Sequence, residues 1–180
     1  MLRRTLLSLL LCGPAAAQED ALALLRQPGA VAIMRHARAP GTGDPPGFRL
    51  GECATQRNLD EAGQDQARRI GARLRAAGVA APVYTSEWCR TRETAELLAV
   101  GPVQPVPALN SFFGDRTSEA AQTAALRAFM DGLNGPAVLV THQVNITALT
   151  GVFPADGEML VLRRGPGGYA VHARLMPPPR

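Results

Sequence analysis

Continuous apolar runs alternate with amphipathic segments along the chain, and this pattern predicts strands and helices in turn. The clearest apolar runs cover residues 30–34 and 136–141, and a histidine follows each run within two residues. Runs of this kind are typical of parallel strands that are buried on both faces. Shorter strands are predicted at residues 82–85 and 103–106, and the second is an edge strand because proline interrupts it.

Five segments carry the features of helices. The most regular one follows Asn58, where Glu61 stands three residues further on in a capping-box pattern and Gly78 ends the helix. Its apolar residues recur at helical spacing, which predicts one buried face. The five predicted helices cover residues 19–27, 58–77, 87–100 (with Ser86 as its cap), 118–133 and 145–149.

The alternation of strands and helices predicts a single α/β domain. Its expected architecture is a three-layer α/β/α sandwich with a mostly parallel central sheet. The last two predicted strands, at residues 158–163 and 169–175, are separated by a short glycine-containing turn and form a hairpin at one sheet edge. The sequence contains no internal repeat and no composition shift that would mark a second domain.

Two loops between these elements are expected to set substrate choice. The first covers residues 39–56 and is rich in proline and glycine, and loops of this length in a compact domain are often functional. The second covers residues 109–116 and carries Phe112 and Phe113, which we expect to be exposed.

The first seventeen residues have the pattern of a secretory signal peptide. Two arginines precede the apolar run at residues 5–11, and Ala15-Ala16-Ala17 fits a cleavage site. Cleavage near Ala17 would leave a domain of residues 18–180 in the periplasm or outside the cell. The apolar run is far shorter than the roughly 20 residues that span a bilayer, so no membrane span is predicted.

Charge and cysteine content narrow the expected partners and compartment. The formal net charge is +4, every basic residue is an arginine, and no basic run is interleaved with aromatic residues, so nucleic acid is not an expected partner. Removal of the leader leaves Cys53 and Cys89. In an oxidising compartment this pair is compatible with one disulfide, and two free thiols are the alternative.

Charged and imidazole side chains follow three of the predicted strands. Arg35 and His36 follow the first strand, Arg90 lies near the start of the helix after the second, and His142 follows the strand at residues 136–141. Ligands of open α/β sheets bind beyond the carboxyl ends of the strands. Arginines hold phosphoryl groups through paired hydrogen bonds, and a neutral histidine can attack phosphorus. The pattern therefore predicts a phosphoryl-transfer site.

Four motifs resemble those of the histidine phosphatase superfamily, which has the phosphoglycerate-mutase-like fold. Arg35-His36-Ala37 is similar to the Arg-His-Gly signature, with alanine in place of glycine. The segment at residues 86–95 resembles the family's Ser-x-x-x-Arg-Ala-x-x-Thr-Ala pattern, which selects Arg90. Residues 59–67 resemble the start of a family helix, and residues 138–142 resemble the strand that carries the second histidine. The motifs occur in the family's order.

The resemblance implies a phosphoric monoester hydrolase that forms a phosphohistidine on His36. It implies no metal and no organic cofactor, and its substrate would be a phosphorylated small molecule or glycan. The oligomeric state is open. The residues that it assigns to the phosphate pocket are Arg35, His36, Arg90 and His142, with Arg38 and Arg57 as further contacts to phosphate or substrate.

The resemblance assigns no general acid. Acid-phosphatase branches carry Asp directly after the second histidine, where Gln143 stands here, and mutase-like branches carry Glu at the position of Ser111. Asp115 and Glu93 are the candidates that remain. The missing acid motivates one alternative, a non-catalytic domain that binds or senses a phosphate ligand. It also keeps a protein-phosphohistidine substrate open, because a good leaving group needs less help from an acid. A mutase is a third hypothesis.

Overall fold

A six-stranded sheet lies at the centre of the computed structural model, which describes residues 14–165 and 168–179. Its strands are β1 (Ala30–Arg35), β2 (Val83–Thr85), β3 (Val103–Pro105), β4 (Ala137–Thr141), β5 (Met159–Gly165) and β6 (Gly168–Leu175). They lie in the order β3-β2-β4-β1-β5-β6. The first four in this order are parallel, whereas β5 is antiparallel to both of its neighbours.

Helices cover both faces of this sheet. They are α1 (Pro14–Leu24), α2 (Glu61–Ala76), α3 (Cys89–Leu98), α4 (Glu119–Asp131) and α5 (Gln143–Thr150). One core cluster joins α1, α2 and α3 to one face of the sheet, and a second joins α4 and α5 to the other face. The structure therefore confirms the predicted layered α/β fold with a mostly parallel sheet.

Strand β1 shows why its sequence is a continuous apolar run. Val31 and Ile33 pack into one core cluster, and Ala32 and Met34 pack into the other. Both faces of the strand are therefore buried, which removes the alternation of polar and apolar residues that a half-exposed strand would show.

The register of β1 and β4 brings the two histidines together. Arg35 pairs with Thr141, and the His36 backbone N–H donates to the Thr141 carbonyl at 3.0 Å. The next residue beyond β4 is His142, so both histidines lie at the carboxyl ends of these two parallel strands.

Two helix caps differ from the expected ones. Helix α2 is capped by Asp60, whose Oδ1 accepts from the Gly63 N–H at 2.7 Å, while the Asn58 side chain donates to the Cys53 carbonyl. Helix α3 begins after Trp88, and the Ser86 side chain, expected as its cap, lies in the functional site instead. Both corrections arise because a neighbouring polar group competes for the side chain that the local sequence marks as a cap.

The amino-terminal helix starts earlier than predicted. Helix α1 covers Pro14–Leu24, whereas the sequence pattern predicts residues 19–27, and it extends across the expected cleavage position at Ala17. Most of the predicted signal peptide, residues 1–13, lies outside the described residues. Among the helices that the structure does describe, none has the length and apolar character needed to cross a membrane.

Candidate active site

A cavity of about 770 Å³ opens beyond the carboxyl ends of β1, β2 and β4. Its lining combines charged and imidazole groups from the strand ends, the loops and the start of α3 with aromatic groups from the surrounding loops. The charged and imidazole side chains that line it are Arg35, His36, Asp44, Arg57, Arg90, Asp115 and His142.

His36 presents an unprotonated ring nitrogen to this cavity. Its Nδ1 lies 2.7 Å from the Ala37 carbonyl, which can only accept, so Nδ1 carries the proton and Nε2 is unprotonated. Nε2 accepts a hydrogen bond of 3.3 Å from Arg90 Nε. Burial lowers the pKa of His36 well below its ordinary value, and the charges of Arg90, Arg57 and Arg35 add to that shift. The imidazole is therefore neutral at neutral pH.

His142 is held by a chain of hydroxyl groups. Its Nδ1 accepts from Arg90 Nη2 at 3.4 Å, and its Nε2 lies 2.8 Å from Ser86 Oγ, so Nε2 carries the proton and donates to Ser86. Ser86 in turn lies 2.6 Å from Thr91 Oγ1, which donates to the Trp88 carbonyl. Burial, followed by the charge of Arg90, lowers the pKa of His142 well below its ordinary value. The hydroxyl chain fixes both the tautomer and the ring orientation.

Arg90 contacts both histidines and the buried carboxylate of the site. It lies in the first turn of α3 with a side chain only 3 % exposed, and its Nε and Nη2 donate to His36 and His142 as described above. Its two terminal nitrogens also bind both oxygens of Asp44, at 2.7 and 3.2 Å. A guanidinium stays charged even when buried, so one fixed positive charge contacts both imidazoles.

Asp44 belongs to this site, although no motif in the sequence marks it. Its side chain is 8 % exposed. In addition to the bonds from Arg90, its oxygens accept from the backbone N–H of Arg57 at 3.1 Å and from Trp88 Nε1 at 3.0 Å. Burial raises the pKa of the carboxyl, but the hydrogen bonds and charge of Arg90 outweigh this and leave the pKa below its usual value. An acidic residue in a long loop beside the first strand was the only available sequence signal.

Arg35 and Arg57 complete the positive lining. Arg35 donates to the Pro154 carbonyl at 3.2 Å, and its Nη2 lies 2.8 Å from Asp156, while its buried Nε meets no acceptor among the described residues. Arg57 donates to the Gly43 carbonyl at 2.8 Å and to the Ala39 carbonyl. Both guanidinium groups are thus anchored to loop backbone at the cavity wall.

Three sequence-selected residues lie elsewhere or at the margin. Arg38 is directed out of the cavity, where it pairs with Asp60 at 3.3 Å. Glu93 faces α2, where it accepts from Gln64 at 2.7 Å, and it does not line the cavity. Asp115 does line the cavity but is exposed at its mouth.

Cys53 and Cys89 form a disulfide that ties the long loop to the start of α3. Cys89 directly precedes Arg90, and Cys53 lies in the loop that also carries Asp44. The bond therefore constrains the relative positions of two segments that contribute to the site.

The mouth of the cavity is aromatic. Phe113 and Phe153, 50 % and 68 % exposed, lie at its rim, and the ring of Phe48 packs 5.8 Å from that of Trp88. Phe112, which the sequence of its loop predicts to be exposed, is only 2 % exposed because its ring packs inward beneath the Arg116 side chain.

No group of three or more His, Cys, Asp or Glu side chains in the described part of the chain has the arrangement of a metal site. The cavity brings together three arginines, two neutral imidazoles and a buried carboxylate. Such a set can hold a phosphoryl group and offer it a nitrogen nucleophile. The arrangement is therefore suited to phosphoryl transfer.

Comparisons with known proteins agree with this class. The family model "Histidine phosphatase superfamily (branch 1)" matches residues 31–116. The solved structure of TTHB049 from Thermus thermophilus is 20 % identical, with a TM-score of 0.58 over 81 % of this chain and 98 % of that chain. No curated protein matches the sequence significantly.

Two further solved structures are similar at the same level. The protein histidine phosphatase SixA, complexed with tungstate, is 18 % identical, with a TM-score of 0.58 over 82 % of this chain and 97 % of that chain. The phosphoglycerate mutase from Thermus thermophilus is 20 % identical, with a TM-score of 0.56 over 82 % of this chain and 98 % of that chain. The family-model match over residues 31–116 supports assignment of the chain to the histidine phosphatase superfamily, and the chain has the phosphoglycerate-mutase-like fold. That match supports a phosphatase or mutase activity.

Proposed function

We propose that the protein is a metal-independent phosphatase that hydrolyses a phosphomonoester through a phosphohistidine on His36. The observation that carries this proposal is the neutral imidazole whose unprotonated Nε2 lines the cavity and accepts a hydrogen bond of 3.3 Å from the Nε of Arg90. An unprotonated nitrogen beside the guanidinium that would bind the phosphoryl group is suited to nucleophilic attack on phosphorus.

In the first step, Nε2 of His36 attacks phosphorus and the bond to the leaving oxygen breaks. Charge spreads over the three equatorial oxygens, and Arg35, Arg57 and Arg90 stabilise it from the cavity wall. The Nδ1–H bond to the Ala37 carbonyl supports the positive charge that develops on the attacking ring. In the second step, water attacks the phosphohistidine, which releases inorganic phosphate and the free imidazole.

His142 helps to stabilise the negative charge on the equatorial oxygens. Its Nδ1 faces Arg90 and the cavity, and a bound phosphate dianion favours protonation of that nitrogen because opposite charges raise a histidine pKa. Once protonated, Nδ1 would donate to an equatorial oxygen while Nε2 remains fixed on Ser86.

We also propose that the protein works outside the cytoplasm on a phosphorylated small molecule or envelope glycan. The signal-peptide pattern of residues 1–17 and the disulfide between Cys53 and Cys89 support this proposal, because disulfides persist in oxidising compartments. Cell fractionation tests it. Full-length protein in the cytosol with reduced cysteines would contradict it.

The phosphatase proposal is tested by phosphate release from p-nitrophenyl phosphate in the presence of EDTA. Wild-type activity should survive EDTA, and His36→Ala should abolish it. His172→Ala is the matched control, because His172 is exposed on β6 and does not line the cavity. Vanadate binding without hydrolysis of any ester in a broad panel would instead support the non-catalytic alternative. Transfer to an added alcohol, without phosphate release, would support a mutase.

A further inference from the structure

The Asp44 carboxylate occupies the donors that a phosphoryl group would need. Both of its oxygens bind the terminal nitrogens of Arg90, and Arg90 also contacts both imidazoles. The fork of a guanidinium matches a carboxylate and a phosphate equally well in shape. A substrate that binds Arg90 in the same way must therefore displace Asp44.

We propose that Asp44 holds Arg90 in the free enzyme, is displaced by the incoming phosphoryl group, and then protonates the leaving oxygen. This inference rests on the proposed phosphatase function and supplies the general acid that the family resemblance leaves unassigned.

Two hydrogen bonds keep the displaced carboxyl in the cavity. The backbone N–H of Arg57 and the Nε1–H of Trp88 donate to Asp44 from the cavity wall, at 3.1 and 3.0 Å, and neither bond involves Arg90. When the substrate takes over the contact with Arg90, these two hydrogen bonds still hold the Asp44 carboxyl at the cavity wall.

The exchange of partners favours protonation of Asp44. In the free enzyme Arg90 is its main positive neighbour, and the Arg57 guanidinium also faces it across the loop. After the exchange, the carboxylate stands beside a phosphate dianion. His36 is neutral, and the proton that His142 gains in the substrate complex is directed to a phosphoryl oxygen and not to Asp44. Like charges at contact distance disfavour the ionised form of the carboxyl, so its pKa rises when substrate binds and the carboxylate takes up a proton from water.

Asp44 donates the proton that the first step requires and accepts the proton that the second step releases. As the bond from phosphorus to the leaving oxygen breaks, its electron pair stays on that oxygen, which takes the proton from the Asp44 carboxyl and departs as the alcohol. In the second step, the Asp44 carboxylate accepts a proton from the attacking water as the phosphorus–nitrogen bond breaks. Asp44 regains its proton, His36 recovers its lone pair, and inorganic phosphate leaves.

The other carboxyl candidates are less well placed. Glu93 does not line the cavity, and Asp115 is exposed at its mouth with one oxygen bound to the Thr117 N–H. Neither carboxylate binds the Arg90 nitrogens that the phosphoryl group would take, as Asp44 does.

Leaving-group dependence tests the proton transfer. Values of kcat/KM for p-nitrophenyl, phenyl and ethyl phosphate are compared between wild type, Asp44→Asn and Asp115→Asn, with EDTA present. We expect Asp44→Asn to lower kcat/KM by about 100-fold or more for phenyl and ethyl phosphate, which need a proton on the leaving oxygen. The loss for p-nitrophenyl phosphate should be less than about tenfold, because its leaving group needs little help. Equal losses on all three esters, or a graded loss in Asp115→Asn instead, would overturn the assignment.

Inorganic phosphate binding tests the displacement separately. Calorimetry should give a tighter dissociation constant for Asp44→Asn than for wild type, by about tenfold, because the competing carboxylate is gone. Asp44→Ala provides a second variant if the amide substitution disturbs folding, which circular dichroism reports. Unchanged or weaker phosphate binding in folded variants would contradict the displacement. Wild type that binds phosphate but hydrolyses no ester would refute the phosphatase function and the acid role together, whereas active wild type with ungraded losses would refute the acid role alone.

Discussion

Arg90 Nε lies 3.3 Å from Nε2 of His36, so the same guanidinium that would bind the phosphoryl group already contacts the attacking atom. This contact has two consequences. It orients the imidazole toward the cavity, and it disfavours protonation of Nε2, because a proton there would face a permanent positive charge. The attacking nitrogen and the guanidinium that would bind the phosphoryl group are therefore in direct contact. Substitution of Arg90 should impair attack by His36 as well as phosphate binding.

Arg90→Lys should lower kcat/KM for p-nitrophenyl phosphate by about 100- to 1000-fold. Lysine keeps the charge but cannot bind Asp44 and the phosphoryl group with a planar fork, and loss of a single aligned donor has an effect of this size in other enzymes. Arg92→Lys, two residues along the same helix and exposed, is the matched control. Equal activity in the two variants would argue against a role for the fork.

Stability should fall as the pH is lowered from 7.5 to 5. His36 and His142 have folded-state pKa values below the unfolded value of about 6.5, so the unfolded chain binds more protons as the pH drops through that value. Each such group contributes a slope of up to about 1.4 kcal/mol per pH unit below the unfolded pKa. Urea unfolding at several pH values should give a smaller slope for His36→Asn than for wild type. Identical slopes would contradict a neutral, buried His36.

Reduction of the disulfide should destabilise the fold and the site together. Opening the bond between Cys53 and Cys89 should lower the free energy of unfolding by about 2–4 kcal/mol, and it should raise KM because it frees the loop that carries Asp44. Urea unfolding and kinetics with and without dithiothreitol measure both effects. The double variant with serine at both positions should be insensitive to the reductant; a response of that variant would mean that another group is affected.

The exposed aromatic rim should govern binding of aryl esters. Phe153→Ala should raise KM for p-nitrophenyl phosphate several-fold and leave kcat nearly unchanged, because ring contacts of about 0.5–1.5 kcal/mol act on the bound aryl group and not on phosphorus. Leu50→Ala is the control, since Leu50 is similarly apolar and exposed but does not line the cavity. A fall in kcat without a change in KM would contradict a binding role.

The sequence predicts the parts of the site that follow buried strands. Apolar runs fix β1 and β4, and the parallel register of these strands then determines that His36 and His142 are neighbours. Arg90 could be selected because it stands at a helix start beyond β2. These inferences succeed because burial on both faces of a sheet leaves a direct pattern in the chain.

The remaining site features depend on tertiary contacts that leave no such pattern. Asp44 lies in a loop without periodicity, and only folding brings it to Arg90. Ser86 has the local sequence of a helix cap, yet its hydroxyl binds His142 because β4 brings that imidazole within 2.8 Å. Arg38 is two residues from His36 but is directed to the other side of the chain, where Asp60 pairs with it.

Direct detection of the phosphoenzyme tests the central claim most closely. Wild-type protein is mixed with p-nitrophenyl phosphate, quenched in alkali within the first turnovers, and digested for mass spectrometry under conditions that preserve phosphohistidine. The mechanism predicts a phosphoryl group that is stable in alkali, is lost in acid, and maps to His36. A phosphoryl group on His142, or turnover with no phosphorylated residue at any quench time, would contradict it.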